Sequence, residues 1–162
     1  MATIEEYTGD NILISIRKTL LYFNTETGQL PDNEQSRHIR KKIEEFEPLL
    51  LTLDQALVCI ENADVIALGE RVCRNINPES VYTESVFLDD LALAMIASGK
   101  AQRATFDDAM KSLDKHTCRP LIISRVSGRY QEICASVPSE CVYWRAEKKR
   151  NKLPETQSMI TP

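Results

Sequence analysis

Apolar residues recur at intervals of three and four positions along most of the chain. The first such run comprises Leu13, Ile16, Leu20 and Phe23. This spacing places the four side chains on one face of a helix, which Asp10 or Asn11 can cap at its N-terminus. Gly28 and Pro31 then indicate a loop over residues 24–32.

A longer apolar stripe follows, and it is the strongest pattern in the sequence. Its members are Ile39, Ile43, Phe46, Leu50, Leu53, Leu57 and Ile60. Asp32 or Asn33 is suited to cap the start, and Pro48 lies inside the stripe although proline kinks or breaks a helix interior. The apolar phase is the same on both sides of Pro48. The pattern therefore predicts either one kinked helix or two nearly collinear helices, whose stripe is the core seam of a bundle or an intermolecular coiled coil.

Helical spacing continues through the rest of the chain. The apolar positions fall in four groups: Val65, Leu68, Val72 and Ile76; Val81, Leu88, Leu91 and Met95; Phe106, Met110 and Leu113; and Ile122, Val126, Tyr130, Ile133 and Val137. Pro78 can open the second of these helices, and Ser98-Gly99 can end it. Thr105 and Asp108 resemble a capping box for the third. Residues 121–124 fit either a helix or a short strand.

These patterns predict one all-α domain over residues 1–153, a bundle of six to eight helices with one long amphipathic helix. Ser139 can cap a final helix that runs to about Lys152. Pro154 would end that helix, and residues 154–162 would form a disordered tail.

Composition favours an intracellular, soluble protein. The chain is 43% hydrophobic, yet no apolar run approaches the roughly 18 residues of a membrane span. The polar, acidic start does not resemble a signal peptide. The five cysteines, an odd number without CxxC spacing, are Cys59, Cys73, Cys118, Cys134 and Cys141. We therefore expect free thiols in a reducing compartment, the cytoplasm or the nucleus.

Charge is distributed unevenly. The net charge is −4, but residues 145–162 carry five basic and two acidic side chains. Tyr143 and Trp144 precede this basic end, and basic groups beside aromatic rings are typical of single-stranded nucleic-acid binding. The residues of this alternative site are Trp144, Arg145, Lys148, Lys149, Arg150 and Lys152. A nuclear-import signal and a solvated terminal helix are the other interpretations.

Motifs of known chemistry are scarce. The two histidines are His38, in a charged helical stretch, and His116, two residues before Cys118. A zinc site needs three or four protein ligands, and His116 with Cys118 supplies two. Cys134 and Cys141 could complete it, although their spacing does not demand this. The glycines are scattered singly, so no phosphate-binding loop is predicted.

Two pairs of acidic residues offer a sharper alternative. Glu44 with Glu47 forms E-x-x-E, and Glu61 with Asp64 forms E-x-x-D. Over residues 41–76 this resembles the magnesium signature of the all-α nucleoside triphosphate pyrophosphohydrolases of the MazG family. The resemblance implies that two facing helices hold Mg²⁺ against a triphosphate, which requires the chain to reverse direction between the two pairs. Mg²⁺ binds in this way through carboxylates and substrate phosphates.

The scarcity of catalytic motifs favours a non-enzymatic function. We expect a protein-protein interaction module, such as an adaptor, an inhibitor or a regulatory subunit, that acts through a helical surface and needs no cofactor. Homo-oligomers are compatible with the sequence. The acidic remainder of the chain could meet a basic partner, but no partner-binding residues can be assigned from the sequence.

Overall fold

The computed structural model describes residues 1–25, 30–71, 84–115 and 119–150, with side chains described as far as residue 146. Over these residues the chain forms seven helices and six strands. The helices are α1 (Ile4–Thr8), α2 (Asn11–Thr25), α3 (Glu34–Glu44), α4 (Leu53–Glu61), α5 (Asp89–Ala97), α6 (Phe106–Asp114) and α7 (Val142–Arg150). The strands are β1 (Leu49–Leu51), β2 (Ile66–Glu70), β3 (Glu84–Leu88), β4 (Ala101–Arg103), β5 (Leu121–Val126) and β6 (Arg129–Ala135).

The six strands form one sheet, so the prediction of an all-α bundle is wrong. The strand order is β1-β5-β6-β3-β2-β4. Every neighbouring pair runs antiparallel. The fold therefore combines α-helices with a central antiparallel sheet.

The two faces of the sheet are covered by different helices. In β3, Val86 and Leu88 point towards α4 and α6, whereas Phe87 points towards α1 and α5. Alternate residues of a strand face opposite sides of a sheet, which accounts for this division. The α4–α6 face has an apolar core that includes Ile60, Ile123 and Ile133, all fully buried.

A further apolar cluster joins three helices of the opposite layer. Leu20 and Phe23 of α2 meet Ile39 of α3 and Val142 and Ala146 of α7. This cluster holds α3 and α7 on the same side of the sheet as α1, α2 and α5.

The predicted long helix over the stripe from Ile39 to Ile60 is wrong, because the chain breaks at Pro48. Glu47, just before the proline, has a φ of 41°, which a helix does not allow. Residues 49–51 then pair with residues 121–123 as an edge strand. The stripe thus supplies two different cores, with Ile39 in one and Ile60 in the other. The constant apolar phase on both sides of Pro48 was therefore misleading, because it is present although no helix continues through the proline.

The helices predicted from Val65 to Ile76 and from Pro78 to Met95 are also wrong in part. The chain forms β2 and β3 in these regions, and only the second half of the latter prediction, from Asp89 onward, is helical as α5. Residues 72–83 lie outside the described residues, and the predictions for Val72, Ile76, Pro78 and Val81 fall there. β2 and β3 pair over five residues each, so strand pairing overrides the local helical spacing.

The helix predicted from Pro120 to Val137 is replaced by a hairpin of β5 and β6. Ser127 and Gly128 connect the strands, with φ values of 48° and 83°. Two positive φ values are what a two-residue type I′ turn requires. The alternative that residues 121–124 form a strand is therefore confirmed.

Several local predictions are confirmed. α2 contains the first apolar run. Asn33 caps α3 by accepting a hydrogen bond from the Ser36 backbone. Thr105 and Asp108 form a reciprocal capping box for α6. α5 ends before Gly99, which has a φ of 75°.

α1, which begins with a capping box at Thr3, was not predicted. The last helix was predicted to begin after Ser139 and in fact begins at Val142. Within the described residues no helix combines the length and the apolar character needed to cross a bilayer. The predicted tail over residues 154–162 lies outside the described residues.

Candidate functional site

Polar residues interrupt the sheet face that lies beneath α1 and α7. Ser85, Ser124 and Glu132 are buried on this face, and Cys134 is half-buried there. The strand register brings them together, because Ser85 pairs with Cys134 and Ser124 pairs with Glu132. Four neighbouring positions on one face of the sheet are therefore polar or thiol-bearing.

Glu132 lies at the centre of this group. Its side chain is almost completely buried, with 8% of the residue exposed. Tyr7 of α1 donates a hydrogen bond to one carboxyl oxygen, and the Ser85 hydroxyl donates to the other at 3.1 Å. Removal from water raises the pKa of Glu132, and the two hydrogen bonds and the positive charge of Arg71 oppose this effect only in part.

Tyr143 extends the polar group towards α7. Its hydroxyl shares a hydrogen bond of 3.0 Å with the Ser124 hydroxyl. Burial, followed by the nearby Glu132 carboxyl, raises the pKa of Tyr143 well above its usual value. The same two causes raise the pKa of Tyr7. Both phenols therefore keep their protons at neutral pH.

Three aromatic rings lie side by side here. Phe46, two residues beyond the end of α3, has its ring centroid 6.1 Å from that of Tyr7, in an edge-to-face arrangement. On its other side Phe46 lies 6.2 Å from the ring of Tyr143. The separations are typical of favourable aromatic pairs. The rings join three helices over the polar part of the sheet.

Arg71 brings a positive charge to the same region from the end of β2. It is buried, and its guanidinium donates to the Ala135 carbonyl oxygen at 2.9 Å. It also forms an ion pair with Glu140 at 3.5 Å. These contacts hold the guanidinium against the end of β6 and the segment before α7.

Two cysteines belong to the same region. Cys141 is buried directly before α7, and burial raises the pKa of its thiol despite the helix backbone N–H groups around it. A thiol kept protonated is a weak nucleophile. Cys134 lies on β6. The environment of Cys141 therefore favours binding over nucleophilic attack by this thiol.

These residues surround a cavity of about 80 Å³ between the sheet and the helices α1, α2, α3 and α7. A single buried water needs only about 10–15 Å³ by this measure, so a small ligand can fit. Most of the lining is apolar, and the wall extends to the exposed residue Ser15 of α2. Its walls include Tyr7, Phe46, Arg71, Glu132, Cys134 and Tyr143.

A wider groove of about 710 Å³ lies elsewhere, between β4 and α6. It is lined by exposed charged residues, among them Lys100, Arg103, Lys111 and Lys115. Exposed charges are screened by salt and bind weakly when isolated. The buried cavity is the better candidate because its polar groups are removed from water.

The four acids of the predicted magnesium site are spread over the molecule. Glu44 ends α3, and Glu61 ends α4, and these helices pack on opposite faces of the sheet. Glu47 pairs with Arg125 at 2.8 Å. The Asp64 backbone N–H donates to Asp89. In the part of the chain that the structure describes, no three acids, cysteines or histidines are close enough to hold a metal.

The predicted nucleic-acid site is only partly described. Trp144 donates from its indole nitrogen to the Ser136 hydroxyl at 2.9 Å, so it anchors α7 to the body. Arg145 donates to Asn24 and lies over the Phe23 ring. The side chains of Lys148, Lys149 and Arg150, and Lys152 itself, lie outside the described part of the chain.

The structure describes only part of the histidine and cysteine candidates. His38 is exposed on α3, which agrees with its position in a charged helical stretch. His116 and Cys118 fall outside the described residues. The sequence patterns did not mark Glu132, Tyr7 or Phe46 as site residues, although Phe46 belongs to the apolar stripe. The Ser127-Gly128 turn signal was the one feature that could have revealed β6 and hence the face on which Glu132 lies.

Comparison with known proteins identified no similar protein. No protein-family model matches this chain, and no match was found among curated proteins or solved structures.

Proposed function

We propose that this protein binds a small organic molecule in the cavity between its sheet and the helices α1, α2, α3 and α7. The observation that carries the proposal is the buried Glu132 carboxyl in a largely apolar cavity. Burying a polar group costs stability unless it is well satisfied. Pockets that combine apolar walls with a few convergent polar groups are the usual form of a small-molecule site.

Binding accounts for the chemistry better than nucleophilic catalysis does. The buried thiol of Cys141 is held in its protonated form. The phenols of Tyr7 and Tyr143 are also protonated and are engaged in hydrogen bonds. Such groups orient a ligand by donating and accepting hydrogen bonds. A regulatory protein that responds to its ligand is the role we infer.

Blocking the mouth of the cavity tests this proposal. In a thermal-shift screen of small amines, alcohols and acids, a ligand present at 100 times its Kd should raise the Tm by roughly 5–10 °C. Ser15→Trp should abolish that shift, because Ser15 is an exposed residue of the cavity wall. Lys18→Trp is the matched control, because Lys18 is exposed on the same helix but does not line the cavity.

The two outcomes of the screen are distinct. A shift that Lys18→Trp retains and Ser15→Trp loses supports the cavity as the site. A broad screen without any shift, or ligands that bind both variants like the wild type, would contradict the proposal.

A second candidate is the protein-interaction module expected from the sequence, acting through α2. The stripe from Ile39 to Ile60 no longer supports it, because most of its members pack in or against the apolar cores, namely Ile39, Ile43, Phe46, Leu53 and Ile60. Instead, Ile14 and Leu21 on α2 are 47% and 59% exposed. They are seven residues apart and therefore share a helix face, and Arg17 and Lys18 lie between them. This surface suits an acidic partner with an apolar contact area.

Changing α2 tests this candidate. Ile14→Ser with Leu21→Ser should remove a complex that the wild-type protein forms in native lysate, as measured by size-exclusion chromatography with light scattering. Leu93→Ser is the control, because Leu93 is 47% exposed on α5. A complex or homo-oligomer that survives the double change would argue against α2 as the contact surface.

Two further hypotheses stay predictions. Nucleic-acid binding by the basic end should weaken steeply with salt and be lost when residues 145–162 are deleted. Magnesium-dependent nucleotide hydrolysis should be abolished by Glu47→Gln and by Asp64→Asn. Binding that the deletion leaves intact would oppose the first hypothesis, and full turnover in both variants would oppose the second.

We also propose that the protein acts in the cytoplasm or nucleus. The observation that supports this is that Cys59 and Cys141 are thiols in the structure. Cell fractionation would test the assignment, and recovery from an oxidising compartment would contradict it.

A further inference from the structure

We infer that the ligand of this cavity is a small organic ammonium ion, held by the Glu132 carboxylate and the rings of Tyr7, Phe46 and Tyr143. This inference rests on the proposed function and adds the chemical class of the ligand. It follows from the charges, the rings and the apolar walls of the cavity.

Among the described residues, the cationic side chains of the cavity wall form ion pairs with carboxylates other than Glu132. The wall contains four carboxylates and two cationic side chains. Lys42 lies 3.7 Å from Glu6 and 3.5 Å from Glu45. Arg71 pairs with Glu140. Among the described residues no cation lies within 4 Å of the Glu132 carboxyl, so a positively charged ligand would supply the missing partner.

The aromatic rings suit the same ligand. Tyr7, Phe46 and Tyr143 are consecutive neighbours along one wall. The faces of aromatic rings attract cations, and groups of rings recognise methylated ammonium ions in this way. An anion would be repelled by the excess of carboxylates in the wall.

The size and polarity of the cavity narrow the choice of ammonium ion. Its lining is mostly apolar, so the ligand should carry alkyl groups rather than many polar atoms. A trimethylammonium ion would donate its one N–H to Glu132 and present three methyl groups to the rings. A heavily hydrated inorganic cation would lose its water without adequate replacement, because Glu132 alone provides a carboxylate at the centre of the site.

Three probes of similar shape and different charge test the inference by isothermal titration calorimetry. They are trimethylammonium, neutral tert-butanol and anionic trimethylacetate. We expect trimethylammonium to bind at least tenfold more tightly than tert-butanol, and trimethylacetate not to bind. Glu132→Gln should weaken trimethylammonium at least tenfold and change tert-butanol less than twofold.

A second variant gives an independent result if Glu132→Gln does not fold. Phe46→Leu removes one ring while keeping an apolar side chain, so trimethylammonium should bind several-fold more weakly. Phe106→Leu is its control, because Phe106 packs in the core on the opposite face of the sheet. Phe106→Leu should bind both probes as the wild type does, and Phe46→Leu should weaken trimethylammonium more than tert-butanol.

The affinity for trimethylammonium should also rise with pH in the wild type and lose most of this dependence in Glu132→Gln, because the ion binds the ionised carboxylate. The titratable and charged groups that face Glu132 are Tyr7 from α1, Arg71 from the end of β2, Cys134 from β6 itself, and Cys141 and Tyr143 at α7. An unchanged pH profile in Glu132→Gln would assign the dependence to one of these groups and contradict the inference.

The outcomes separate this inference from the proposed function. Tighter binding of tert-butanol or trimethylacetate than of trimethylammonium would overturn the ammonium assignment and leave the cavity as a binding site. Failure of all three probes to bind would likewise overturn the assignment. The mouth-blocking screen would still decide whether the cavity binds any small molecule.

Discussion

The two faces of the sheet use adjacent residues of the same strands in opposite ways. On the α4–α6 face, Ile123 and Ile133 are fully buried in an apolar core. Ser124 follows Ile123, and Glu132 precedes Ile133. Both of these polar residues line a cavity on the other face of the sheet. One strand pair therefore contributes to a close-packed core on one side and places polar groups in a largely apolar cavity on the other.

This difference indicates where stability and function reside. Close packing of apolar side chains stabilises the fold, whereas a buried carboxyl and unfilled space lower its stability. Proteins retain such features mostly where they serve function, and perturbed titratable groups in a cleft are typical of functional sites. We therefore assign the proposed ligand binding to the face beneath α1 and α7, and we expect core substitutions to cost more stability on the α4–α6 face than at the cavity.

The largest expected effect compares two neighbours on β5. Ile123→Ala should lower the free energy of unfolding by about 2–5 kcal/mol, because it leaves a void in a packed core. Ser124→Ala should cost about 1 kcal/mol or less, because it removes one hydrogen bond to Tyr143 beside an existing cavity. Urea denaturation measures both. Equal losses would show that the two faces are packed alike.

A smaller loss is expected at Gly69 on β2. A Cβ at this position would lie 2.5 Å from the Lys100 carbonyl oxygen and 2.9 Å from the Phe87 ring. Gly69→Ala should therefore cost about 1–3 kcal/mol by overpacking. Gly9→Ala is the control, since its nearest atom would be 3.1 Å away. If Gly69→Ala left the free energy of unfolding unchanged, this end of the cavity face would also be loosely packed.

A third prediction concerns pH. Burial raises the pKa of Glu132 above its ordinary value of 4.5, so the folded state holds the proton more tightly than the unfolded state. The stabilising effect of this proton is complete below the unfolded pKa and is lost as the pH rises through the folded pKa. Relative to Glu132→Gln, the wild type should therefore lose stability above about pH 4.5.

A companion variant tests whether Glu132 causes this pH dependence of stability. The hydrogen bond from Tyr7 lowers the pKa of Glu132. Tyr7→Phe should raise that pKa further and extend the loss of stability to higher pH. Urea denaturation at several pH values measures both variants. Parallel pH curves for the wild type and Glu132→Gln would contradict the account of Glu132.

The smallest expected effect concerns a helix cap on the α4–α6 face. Thr105→Ala removes the capping box of α6 and should cost about 1 kcal/mol. It should leave the affinity of any cavity ligand unchanged, because α6 lies across the sheet from the cavity. Calorimetry of the variant checks this, and weaker ligand binding would show that the two faces are coupled.

Local features of the fold were predictable from the sequence, but its architecture was not. Caps such as Asn33 and Thr105 act within a few residues, so a short segment contains all the information they need. Residues 49–51 become a strand only because residues 121–123 lie beside them. Such pairing depends on distant partners, and local spacing alone favoured a helix.

The candidate site was hidden for the same reason. Glu132 lies between Gln131 and Ile133 on β6, and nothing adjacent in sequence marks it as unusual. Its environment comes from Tyr7, far earlier in the chain, and from Tyr143 on the last helix. The acidic pairs at Glu44 and Glu61 were conspicuous in sequence, yet the fold separates them.

The most direct test of the binding face is methyl NMR of isoleucine-labelled protein titrated with trimethylammonium chloride and with tert-butanol. Three isoleucines line the cavity, Ile12, Ile16 and Ile43. Three others, Ile60, Ile123 and Ile133, lie in the core on the opposite face. We predict saturable shifts of the first three methyl signals and unchanged positions for the second three. Shifts confined to the second three, or to the exposed Ile14, would contradict the account.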